Sequence, residues 1–99
     1  KSGANCREID TAARNVFSSR HLGEFITHHI GHGIGLGHPD PPYFVPASTD
    51  TLVAGDVVTV EPGQYHKGVG GMRFERNYLI TTTGYENLTH HFIGLEPKI

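Results

Sequence analysis

Three prolines within the five residues His38-Pro39-Asp40-Pro41-Pro42 forbid a helix in the middle of this chain. Each proline lacks an amide hydrogen and fixes φ near about −65°, so the segment reads as an extended loop. Gly31, Gly33, Gly35 and Gly37 precede it, and Gly63, Gly68, Gly70 and Gly71 punctuate the chain further on. Regular structure is therefore left to one segment upstream and to short runs downstream. Upstream, Asn5-Cys6-Arg7-Glu8 resembles a capping box with Asn in place of Ser or Thr. Ile9, Ala12, Ala13 and Val16 follow at i, i+3, i+4 and i+7, so the spacing predicts a helix over residues 6–19, ending near Ser18-Ser19 and before Gly23. Residues 25–30 read as a short strand running into Gly31-His32-Gly33-Ile34-Gly35. Residues 51–56 read as a turn feeding a strand over 57–61, which Pro62-Gly63 stops. A glycine-rich loop leads to a strand over 72–81, and Thr83-Gly84 turns the chain into 86–89. One helix followed by mostly antiparallel strands is an α+β arrangement.

Composition narrows the function classes. At 99 residues the chain has room for one small domain. Apolar residues make up 36% and charged residues 18%, which is a globular composition. The net charge of −2, with no basic stripe, argues against a nucleic-acid or anionic-membrane partner. No apolar run approaches the ~20 residues that span a bilayer. A single cysteine, Cys6, excludes an intrachain disulfide and fits a packed thiol in a reducing compartment, with the cytoplasm as the default. The chain opens at Lys1 without an initiator Met, so a piece of something larger is expected. The chain holds eight His and thirteen Gly, the two types cluster together between His28 and His38, and that concentration suggests a site.

The carboxylates supply the other half of the argument. Along the strand over 72–81, alternation puts Arg73, Glu75, Asn77 and Leu79 on one face; Met72, Phe74, Tyr78 and Ile80 fall on the other. In the preceding strand Val57, Thr59 and Glu61 share a face. A hairpin symmetric about Gly68 sets Glu61 opposite Glu75. Facing carboxylates repel unless a cation lies between them. A divalent metal resolves that conflict, and carboxylate oxygens with one imidazole suit Mn²⁺, Fe²⁺, Co²⁺ or Zn²⁺. Arg73 could resolve it instead. Taken singly, the same residues have plainer readings: a solvated Glu at a strand end, a His in a turn, a surface Arg–Glu pair.

Their order resembles a known family. His28-His29-Ile30-Gly31-His32-Gly33-Ile34-Gly35-Leu36, then Asp56-Val57-Val58-Thr59-Val60-Glu61-Pro62-Gly63-Gln64-Tyr65, then Gly71-Met72-Arg73-Phe74-Glu75 are similar to the pita-bread metallopeptidases. That family includes aminopeptidase P, prolidase, methionine aminopeptidase and creatinase. The resemblance covers nearly all of the chain and implies half of a pita-bread fold, with one N-terminal helix on a mostly antiparallel curved sheet. Residues 1–99 would then be the C-terminal part of a catalytic domain. It implies two divalent metal ions, Mn²⁺ first, with Co²⁺, Zn²⁺ or Fe²⁺ as alternatives. His32, Glu61 and Glu75 match metal ligands, Glu75 bridging both ions; the two Asp ligands and an earlier catalytic His lie upstream in the family. Glu61 would shuttle the proton of the attacking water, and Arg73 would orient Glu75. The implied substrates are peptides or dipeptides with proline in second place. The implied partners are the upstream half of the same protein and a second copy in a homodimer.

Two positions depart from the family pattern. Pro39, followed by Asp40, stands seven residues after His32, where the peptidases carry a second His that contacts substrate. The adjacent His38 is the candidate to replace it. Arg76 stands where the family has Asp after the bridging Glu. These departures keep two further readings open, a creatinase-like hydrolase of a C–N bond and an inactive binding homologue. Of the remaining histidines, His21, His66, His90 and His91 read as surface, with His66 a candidate to line the cleft. One of His28 and His29 should face the cleft and one should face away.

Overall fold

The computed structural model describes residues 1–96. Helix α1 spans Cys6–Ser18, and the Asn5 side chain caps it by accepting from the Arg7 amide at 2.9 Å. Its inward face is not the stripe read from apolar letters. Cys6 and Asp10 are buried, Ile9, Ala13 and Phe17 pack against the core, and Val16 is 63% exposed. The face is turned because Asp10 belongs to it. Both Asp10 oxygens accept from Arg14 Nε at 3.0 Å, and a carboxylate so neutralised can be buried.

After a 3₁₀ turn at Gly23–Phe25, residues 26–30 form no strand, contrary to the periodicity. Ladder bonding begins only at Ile30, whose amide donates to the Phe44 carbonyl at 3.0 Å and whose carbonyl accepts from Glu61 at 2.7 Å. Strand β1 is Gly31–Gly33. The proline segment is a loop only as far as Pro39, because β2 runs over Asp40–Phe44. β2 lies at the edge of its sheet, the one place where missing amide donors are tolerated.

The strand read over 57–61 is β3, Val57–Val60, and it stops before Pro62 as expected. Gly63–His66, read as part of the glycine-rich loop, is β4, and the strand read over 72–81 is split into β5, Gly70–Arg73, and β6, Arg76–Ile80. Thr83-Gly84 does turn the chain: the Thr81 amide donates to the Gly84 carbonyl at 3.0 Å, and β7 follows over Tyr85–Asn87. Among the described residues, five strands form an antiparallel sheet in the order β2-β1-β3-β6-β7, and β4 pairs with β5 separately. The pairs Val57↔Leu79 to Val60↔Arg76 and the pairs Gly63↔Arg73 to His66↔Gly70 share one register about Gly68. They are two parts of one hairpin, interrupted at Glu61-Pro62 and Phe74-Glu75, and the common register carries Glu61 opposite Glu75.

Alternation then sorts the two faces of the sheet. Val58, Ile80 and Phe44 turn to one side and build the core with Cys6, Ile26, Ile30 and Leu52. His32, Thr59 and Asn77 are direct cross-strand neighbours over β1, β3 and β6, and they occupy the other side. Met72 and Phe74, expected on an apolar face, are 45% and 39% exposed because β5 has left the main sheet.

Candidate metal centre

His32 sits between two glycines for a steric reason. A Cβ at Gly31 would lie 2.0 Å from the Thr59 carbonyl oxygen, and one at Gly33 would lie 2.0 Å from the Pro41 carbonyl oxygen. Only glycine lets both neighbouring strands come that close. They bury the imidazole to 3% exposure. His32 Nδ1 is 2.7 Å from the Gly33 carbonyl, a bond only a protonated nitrogen can make. Nε2 takes no part in that bond, and it is buried with no hydrogen-bond partner among the described residues.

What Nε2 faces is a carboxylate. Glu61 Oε1 lies 3.7 Å away, at the point where β3 ends. Glu61 is 7% exposed; its Oε2 accepts from Thr59 Oγ1 at 3.5 Å, and Oε1 lies 3.2 Å from His29 Nε2. Burial pushes the Glu61 carboxyl up, but the Glu75 hydrogen bond, the His32 and Arg73 charges and the His29 hydrogen bond together outweigh it and hold the group below its ordinary range. A buried carboxylate oxygen and a buried imidazole nitrogen without a hydrogen bond among the described residues thus face each other. A cation between them would satisfy both, and a carboxylate with imidazole is a donor set that divalent metals accept.

The same cavity, about 520 Å³, is lined by His29, His32, His38, Glu61, Arg73 and Glu75. The five residues named from sequence as metal ligands or catalytic groups, His32, His38, Glu61, Arg73 and Glu75, therefore meet in one place. His38 is exposed, with its ring 5.0 Å from that of His32 and edge-on to it. Arg73 and Glu75 are exposed and line the same cavity. His29 is the residue that periodicity alone did not single out. Nitrogens of His29 and His32 and an oxygen of Glu61 all lie within 4.8 Å of one another. His28 turns instead to the ring of Tyr65, at 5.3 Å between centroids. His66 does not line this cavity: it stacks on Phe25 at 3.8 Å and meets Gln64 Oε1 at 3.3 Å, bracing the β4–β5 hairpin. No helix among the described residues is long and apolar enough to cross a membrane.

The profile of Metallopeptidase family M24 matches residues 1–82. The chain belongs to that family. An uncharacterised peptidase of Staphylococcus aureus is 42% identical over 91 residues, which are 92% of this chain and 26% of that protein. An Xaa-Pro dipeptidase from Bacillus anthracis superposes with a TM-score of 0.91 at 38% identity, covering 96% of this chain and 27% of its own. A prolidase from Pyrococcus furiosus gives 0.89 at 34% identity, over 94% and 28%. An X-Pro aminopeptidase from Thermotoga maritima gives 0.86 at 35%, over 92% and 26%. The helix and antiparallel sheets of this M24 chain are thus part of the pita-bread fold of those enzymes. The chain spans about a quarter of the length of these relatives.

Proposed function

We propose that residues 1–99 are the C-terminal part of the catalytic domain of an Xaa-Pro peptidase, a hydrolase that works with two divalent metal ions. The observation that carries this reading is the buried His32 Nε2, with no hydrogen-bond partner among the described residues, facing Glu61 Oε1 at 3.7 Å. His32, Glu61 and Glu75 would hold the ions together with two aspartates from upstream. Mn²⁺ is the first choice, with Co²⁺, Zn²⁺ or Fe²⁺ as alternatives. Such a pair, when bound, activates water and polarises the scissile carbonyl.

This chain's own groups do the rest. The Glu61 carboxylate, kept ionised by its neighbours, accepts the proton of the attacking water and delivers it to the departing amine nitrogen. Arg73 holds the Glu75 carboxylate in orientation. His38 stands edge-on to His32 and donates its ring N–H to the substrate carbonyl oxygen, in place of the histidine that Pro39 has displaced. The substrate is a peptide or dipeptide with proline second, as the printed names of the solved neighbours suggest. The upstream half of the protein and a second copy, in a cytoplasmic homodimer, complete the assembly.

Hydrolysis of an Xaa-Pro dipeptide and an Xaa-Pro-Yaa tripeptide by the full-length protein with added Mn²⁺ tests this, beside Glu75→Ala. Metal-dependent turnover that the substitution abolishes is the expected result. A protein that binds two ions and cleaves neither peptide would instead be a hydrolase of another C–N bond, the reading Pro39 favours. One that binds no ion would be an inactive homologue.

A further inference from the structure

His29 carries an inference that goes past the ligands matched by motif. Its Nε2 lies 3.2 Å from Glu61 Oε1, on the same oxygen that His32 Nε2 approaches to 3.7 Å. The two imidazoles stand edge to face, with ring centroids 5.2 Å apart. Nitrogen and oxygen ligands bind a first-row metal at about 2.0–2.2 Å, so neighbouring donors in one coordination shell sit about 3.0–3.5 Å apart. The His29–Glu61 separation falls inside that range, and the His32–Glu61 separation just outside it. A hydrogen bond from His29 to Glu61 accounts for the first distance alone. It leaves His32 Nε2 buried against the same oxygen without a hydrogen bond among the described residues. A cation bound to all three atoms accounts for both.

We propose that His29 is a metal ligand, so that the ion beside His32 is held by two imidazole nitrogens and the Glu61 carboxylate. This rests on the reading of His32 and Glu61 as a metal site. It adds a consequence for which metal is bound. Imidazole suits Zn²⁺, Co²⁺ and Fe²⁺, whereas Mn²⁺ is served best by carboxylates and water. A second nitrogen shifts this position toward Zn²⁺ or Co²⁺, away from the preference a single histidine would set. Because His29 lies just outside β1, on a segment with no ladder of its own, the ion also ties that segment to the end of β3.

The test uses the full-length protein, stripped with a chelator and titrated with Zn²⁺ and with Mn²⁺ against a chromophoric competitor. Wild type, His29→Ala, His29→Gln and His32→Ala are compared. Loss of a ligand should weaken the first Zn²⁺ equivalent by about 100-fold or more in His29→Ala, and Mn²⁺ by about tenfold. His29→Gln keeps a hydrogen-bond donor toward Glu61 but has no ring nitrogen, so it should bind Zn²⁺ no better than His29→Ala. Pulsed electron paramagnetic resonance of wild type with one equivalent of Cu²⁺ should count two coordinated imidazoles, a readout that needs no variant. Unchanged Zn²⁺ affinity in His29→Ala, full recovery in His29→Gln, or a single imidazole in wild type would overturn the inference. His32→Ala separates the two levels. If it abolishes binding while His29→Ala does not, only the role of His29 fails; if neither matters, the metal site itself is wrong.

Discussion

At the scale of single residues, the site depends on what its neighbours cannot be. Gly31→Ala would drive a methyl group into the Thr59 carbonyl, with Phe44 Cδ2 only 2.7 Å away. Neither atom is the free end of a flexible side chain. The substitution should cost about 3 kcal/mol or more, read from the urea midpoint of the full-length protein; a loss under about 1 kcal/mol would mean the strands are not so close. Cys6 permits a second prediction. Burial, followed by the charges of Asp50 and Asp56, pushes its thiol from the ordinary 9.0 up to about 11. The folded state favours the protonated thiol, so this contribution to stability is complete below pH 9 and disappears as pH rises through about 11. Iodoacetamide at pH 8 should leave Cys6 unmodified in the native protein and modify it in urea, as followed by mass spectrometry. Equal labelling in both states would contradict a buried thiol. The sequence already pointed to His32, Glu61 and Glu75, because the order of the three motifs that hold them resembles the metallopeptidase pattern. It expected one of His28 and His29 to face the cleft but could not say which, because the reach of His29 to Glu61 depends on a segment with no period to read.

At the scale of elements, the hairpin and the stop at Pro62 were legible, while the strand resuming as β4 and the break at Phe74-Glu75 were not. Symmetry about Gly68 follows from turn glycines and alternation, and both ladders keep it. The breaks at Pro62 and at Phe74-Glu75 are where β4 and β5 leave the main sheet, which alternation in one strand cannot reveal. Helix α1 teaches the same lesson. An apolar stripe overlooks Asp10, whose burial depends on Arg14, and Arg14 also donates from Nη2 to the His28 carbonyl at 3.2 Å. Arg14 thus joins the helix to the segment that presents His29. Arg14→Ala should leave a buried carboxylate unpaired and cost about 3 kcal/mol or more. It should also weaken the first metal equivalent, in a titration of the variant under conditions where it remains folded. A variant with wild-type stability would show that Asp10 is neutralised in some other way.

At the scale of the whole molecule, the chain exposes more than a self-sufficient domain would. Its accessible surface is 6675 Å², against about 5,500 Å² for a compact monomer of this mass. Its radius of gyration is 14.1 Å, where about 12.6 Å is usual. Leu36, Val69, Tyr85 and Leu95 are all more than two-thirds exposed. Expressed alone, residues 1–99 should associate, sedimenting as oligomers and binding a hydrophobic dye. A monodisperse monomer with a sharp unfolding transition would contradict that. The central claim is that His32 and Glu61 face each other across a metal, and the metal content of the full-length protein tests it most directly. After chelation, reloading with Mn²⁺ and desalting, elemental analysis should find about two ions per chain in wild type. It should find fewer than one in Glu61→Ala. Equal loading of the two proteins, or no metal in either, would contradict the account.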